Sequence, residues 1–157
     1  MASSGRRKSR LPPGTQVGAL RSWYPAGKTD FNRGVIRWVG ALQPTALSAT
    51  YTVEVTFHSG WPRPRVQVLD PLLREPDGPR LPHVFPGDEL CLNFTEEWDE
   101  GMLIASTVLP WASEWLLHYE IWKAIGHWHG GGHEPPPATD LRRRPVSDLR
   151  AGVTAVS

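Results

Sequence analysis

The chain has 157 residues, of which 39% are hydrophobic and eight are tryptophan, with a formal net charge of +1; that length fits one domain able to bury roughly two thirds of its unfolded surface. The near-neutral balance gives no global electrostatic case for nucleic acid or a membrane surface as partner, and no run approaches the roughly 18 apolar residues of a membrane span. A single cysteine, Cys91, excludes an intrachain disulfide and fits a reducing, cytoplasmic setting.

Residues 1–14 read as a disordered basic tail. Its first ten residues are Met, Ala, Ser, Gly, Arg and Lys, without an acid and without an apolar stretch behind them, which argues against a secretory signal. The domain is expected over residues 15–135, and its body opens with strands. Val35, Ile36, Trp38 and Val39 form an apolar run between Gly34 and Gly40. Tyr51, Val53, Val55 and Phe57 alternate with Thr52, Glu54, Thr56 and His58, a period-two pattern with one buried face. After the turn Trp61-Pro62-Arg63-Pro64, Val66, Val68 and Leu69 supply a third strand. Three strands joined by short turns predict an antiparallel meander.

From Asp70 to Glu89 the chain is rich in Pro, Gly and charge and shows little periodicity, as expected of a long irregular segment; such segments often carry function. Leu90-Cys91-Leu92 stands at its end. Val108, Trp111, Ala112, Trp115, Leu116, Tyr119 and Trp122 then recur at helical spacing, with Pro110 in the first turn and Gly126 as a stop. This aromatic stripe reads as core rather than as a cofactor box. Residues 136–157, which begin within the run Pro135-Pro136-Pro137, read as a second disordered tail.

Cys91 has two readings on chemistry alone. Its leucine neighbours suggest a buried small hydrophobe, whereas its place at the end of an irregular loop suggests a nucleophile, which would need help to form a thiolate. His83 lies eight residues upstream. His127, His129 and His133 surround three glycines; with Cys91 they offer zinc-ligand chemistry, but at no standard zinc spacing, and the glycines equally serve a tight turn. No phosphate-cradling or nucleophile-elbow motif is present, and neither a metal nor another cofactor is expected.

The order of these elements resembles the catalytic core of ubiquitin-conjugating enzymes: a meander, a Pro-rich turn, an irregular segment carrying His83, the Leu90-Cys91-Leu92 ledge, Trp98 seven residues on, then a helix. The chain is more closely similar to the short ubiquitin-conjugating-like proteins of type II CBASS antiphage operons, which are bacterial. Gly40-Ala41-Leu42-Gln43-Pro44-Thr45, His83-Val84-Phe85-Pro86-Gly87-Asp88, Pro110-Trp111, Glu114-Trp115-Leu116, Tyr119-Glu120, Gly126-His127-Trp128 and Gly130-Gly131-Gly132-His133 carry that likeness over roughly residues 17–135.

The resemblance implies an α+β, UBC-like fold: an antiparallel β-meander packed on helices, with a long irregular active-site segment. It implies that Cys91 is an acyl-carrying transferase nucleophile forming a thioester. The acyl donor would be the C-terminus of a cGAS-like cyclic oligonucleotide synthetase, activated either by an enzyme encoded elsewhere or as a preformed thioester or isopeptide. His83 matches the histidine of the family's His-Pro-Asn motif, but Val84 and Phe85 replace the rest, so the motif's asparagine is missing. Asn93 is the candidate substitute, and His133 is a further candidate for the site. A non-catalytic binding module and a cysteine-dependent deconjugating hydrolase are the alternative functions.

Overall fold

The computed structural model describes residues 9–73, 77–92 and 97–130. Helix α1, Pro13–Trp23, is followed by strands β1, Lys28–Asn32, β2, Val35–Leu42, β3, Tyr51–His58, and β4, Arg65–Asp70. Two short strands, β5, Val84–Phe85, and β6, Glu89–Leu90, precede helix α2, Val108–Ile125. The four long strands form one antiparallel sheet in the order β1-β2-β3-β4.

β3 shows the alternation most cleanly. Tyr51, Val53, Val55 and Phe57 are all buried, and the intervening residues are not. The register sets Ile36 opposite Phe57, Trp38 opposite Val55 and Leu42 opposite Tyr51, so the apolar rows of β2 and β3 share one face. Gly40 sits on that face two residues from Trp38. A Cβ there would lie 2.4 Å from Trp38 Cζ2, so the missing side chain gives the indole its place.

The sheet has four strands where the sequence pattern shows three. β1 escapes that pattern because it is an edge strand with only Thr29 buried. It pairs with β2 through the two-residue turn Arg33-Gly34, whose φ values of 49° and 80° suit a tight hairpin. Leu42 also lies inside β2, which runs through Gly40 rather than stopping there.

Residues 9–14, assigned to the tail on sequence, carry structure: the Leu11 N–H donates to Glu100 O, and α1 begins at Pro13, where a missing N–H costs nothing. α1 buries Leu20 and, less usually, Gln16, which is 2% exposed. The Gln16 amide donates to Met102 O at 2.7 Å and accepts from Ile104 N–H at 2.9 Å. One side chain thus satisfies two main-chain groups of a distant loop, as a buried amide must. Residues 1–8 and the second expected tail, 136–157, lie outside the described residues.

α2 has 18 residues and is about 27 Å long at the usual rise. Val108, Leu109, Ala112, Trp115, Leu116 and Tyr119 are buried, and the helix stops at Gly126 in the left-handed conformation, φ 72°. Glu120 ties it to the β2–β3 connection. Its carboxylate accepts from Ser48 Oγ (2.7 Å), Ala49 N–H (3.1 Å) and Tyr51 Oη (2.9 Å). Burial and this carboxylate together push the Tyr51 phenol well above its ordinary range. No helix among the described residues is long and apolar enough to cross a membrane.

Candidate active site

The segment after β4 is not irregular throughout. β5 and β6 form a small antiparallel hairpin, with Phe85 opposite Glu89, turned by Pro86-Gly87-Asp88. Gly87 and Asp88 have φ values of 85° and 59°, and Gln67 Nε2 on β4 donates to Gly87 O. Strands of two residues leave no periodicity in a sequence, which is why the hairpin is invisible there.

The hairpin delivers Leu90-Cys91-Leu92. Leu90 and Leu92 are 1% and 3% exposed, and Cys91 between them is half-buried. The leucines that argue for burial on sequence are therefore the anchors of a ledge. They hold the cysteine between them at the edge of the core.

His83 fixes the other side of this ledge through its main chain. Its carbonyl accepts the Cys91 N–H at 2.9 Å and the Trp115 indole N–H at 3.0 Å. His83 has φ 50°, a left-handed conformation that histidine adopts more readily than most residues. Its ring stacks on Trp128, with centroids 4.7 Å apart.

A cavity of about 50 Å³ opens beside the thiol. It is lined by His83, Cys91, Leu92, Trp111, Glu114, Trp115, His118 and Trp128. Small-molecule sites begin near roughly 300 Å³, so this space suits the end of a side chain or a reacting carbonyl. Three elements meet here: the ledge, one face of α2, and the return after Gly126 that lays Trp128 against Trp115 at 5.3 Å. The aromatic stripe of α2 is core, as its spacing predicts, and it also forms a wall of the cavity.

Charge reaches Cys91 from the hairpin side. Arg63 bridges to Glu89 at 3.0 Å and lies over the Phe85 ring at 3.9 Å. Burial pushes the Cys91 thiol above its ordinary range. Arg63 draws it back down, and Glu89 adds to the rise. The resting site therefore favours the neutral thiol, and an incoming cation or donor would shift it toward thiolate.

Of the residues selected on sequence, Cys91 and His83 are brought together. Asn93 and His133 lie outside the described residues. His127 and His129 pack ring against ring at 4.9 Å, and among the described residues no three His, Cys, Asp or Glu side chains gather as a metal site would need. Arg63, Trp115 and His118 are additions from the structure. His118 stands 27 positions after Cys91 inside an apolar helix, so only folding makes it a neighbour.

A family model described as type II CBASS E2 protein matches residues 16–135. No curated protein matches the chain.

Proposed function

We propose, for a chain that belongs to the type II CBASS E2 protein family, that Cys91 carries an acyl group as a thioester and passes it to an amine. The observation that carries this reading is the half-buried thiol on an anchored ledge, at a cavity sized for a carbonyl and an amine. Loading exchanges one thioester for another: the Cys91 Sγ–carbon bond forms and the donor's thiol leaves. Discharge forms an amide and returns the thiol, so one hard acyl transfer becomes two easier ones. The acyl donor is the C-terminus of a cGAS-like cyclic oligonucleotide synthetase, and the setting is the cytoplasm. The sequence has no motif for adenylating a carboxylate, so the activated donor comes from a separate activating enzyme or a preformed thioester.

Asn93 supports the oxyanion in this scheme, and His133 completes the site; both assignments rest on the sequence. His83 contributes its carbonyl to the ledge, which suits a positioning role better than that of a base. The test is an adduct between this protein and the synthetase. Wild type should give a thiol-sensitive adduct, and Cys91→Ser a thiol-resistant ester or none. Identical patterns from the two proteins would refute the proposal.

A second reading, a non-catalytic binding module, is favoured by the missing asparagine: Val84 and Phe85 follow His83 where the family's motif has Pro and Asn, and burial also favours the neutral Cys91 thiol. That reading requires a complex that survives Cys91→Ala with defence intact. A deconjugating hydrolase would instead release the synthetase from a preformed conjugate in a Cys91-dependent way.

A further inference from the structure

Discharge of a thioester by an amine must dispose of a proton. An alkylamine at neutral pH is mostly protonated, and its nitrogen gains positive charge as it attacks. The wall of the Cys91 cavity carries a group suited to take that proton. His118 and Glu114 are one turn apart on α2, and both line the cavity. His118 Nε2 lies 3.6 Å from Glu114 Oε1. A carboxylate on that side favours the tautomer with its proton on Nε2, which leaves Nδ1 as an acceptor.

His118 Nδ1 is buried and has no hydrogen-bond partner among the described residues. Buried polar atoms nearly always find one. A bare acceptor on a side chain that lines a cavity is suited to a donor supplied by a substrate. The ring is also held in place. Trp128 packs beside it with centroids 5.9 Å apart, and a Cβ on Gly130 would lie 2.9 Å from its Cδ2, so the return segment closes against the imidazole. The titratable groups facing it in the cavity are Glu114 on its own helix and His83 and Cys91 from the ledge.

We propose that His118, oriented by Glu114, is the proton acceptor for the amine that discharges Cys91. The inference rests on the reading of Cys91 as an acyl carrier. The amine nitrogen bonds to the thioester carbon while one N–H proton passes to His118 Nδ1. The carbon–sulfur bond then breaks with its electron pair on Sγ, and the proton moves from Nδ1 to Sγ. An amide, a thiol and a neutral imidazole result. His118 is the catalytic group in this step, and Glu114 is a positioning residue.

The test loads Cys91 from a glycine-ended peptide thioester of mercaptoethanesulfonate and follows discharge by mass spectrometry. Lysine and hydroxylamine serve as the two amines. Hydroxylamine is largely neutral at pH 7 and needs little help from a base, so the ratio of the two rates isolates base catalysis. In His118→Gln the lysine-to-hydroxylamine ratio should fall about a hundredfold. Glu114→Gln, a change at a mostly exposed carboxylate, should lower the ratio severalfold. A merely structural defect would slow both amines together. A ratio within twofold of wild type in both variants overturns the role of His118 and leaves the acyl carrier standing. Failure of wild-type Cys91 to accept the acyl group overturns both.

Discussion

Replacing Trp115 with Phe tests whether the main chain at Cys91 is held from α2. Trp115 is 4% exposed, donates its indole N–H to His83 O at 3.0 Å, and stacks on Tyr119 with centroids 5.8 Å apart. The lost hydrogen bond costs about 1 kcal/mol net, because His83 O keeps the Cys91 N–H and is not orphaned. The smaller ring gives up contacts with Tyr119 and Trp128 and leaves unfilled space, at a further cost of about 1 to 2 kcal/mol. The sum, about 2 to 3 kcal/mol, corresponds to a fall in Tm of roughly 5–10 °C for a chain of this size. Urea unfolding gives the stability. Alkylation of Cys91 by iodoacetamide under native conditions gives the second readout, and should be faster once the ledge loses one of its ties. A loss below about 0.5 kcal/mol with unchanged alkylation would show that the indole does not hold the ledge, and the reasoning would fail.

Burial is the main cause of the raised Cys91 thiol; Glu89→Gln removes the charge that adds to that rise and releases Arg63 to act on it. The pH profile of alkylation should move to lower pH, and the rate at pH 7 should rise roughly two- to fivefold, the range of a partly solvated ion pair. Arg63→Gln should move the profile the other way; equal profiles for the two variants would contradict the arrangement. Glu120→Ala leaves the Tyr51 hydroxyl, on a residue 3% exposed, without its carboxylate acceptor. It should cost about 2 to 4 kcal/mol in urea unfolding. Gly40→Ala drives a methyl into Trp38, which is 1% exposed, and should cost about 1 to 3 kcal/mol, read from the same unfolding curves. Gly60→Ala has open space at its Cβ and should show only the strain of its φ of 96°.

What was legible in the sequence follows from how strongly each element is patterned. β3 and α2 each bury a regular face, so Tyr51–Phe57 alternation and the Val108–Trp122 stripe locate them directly. β1 exposes four of its five residues, and α1 buries only Gln16 and Leu20 around two glycines; neither leaves a periodic apolar signal. The β5–β6 hairpin is too short to have a period, yet it places Cys91. Leu90 and Leu92 are core, but the burial they suggest for Cys91 extends only halfway to it. His118 and Glu114 carry a helical i,i+4 spacing that is common on any helix. Their proximity to Cys91 depends on how α2 and the Trp128 return pack, which no local pattern encodes.

The anchoring of the ledge ties the chemistry of Cys91 to the fate of the whole domain. With Leu90 and Leu92 both in the core and the Cys91 amide bonded to His83 O, the backbone around Cys91 has little freedom to open alone. Its amide should therefore exchange more slowly than those of a fraying loop. Native-state hydrogen exchange at Cys91 measures how firmly the two leucines and the His83 carbonyl hold it.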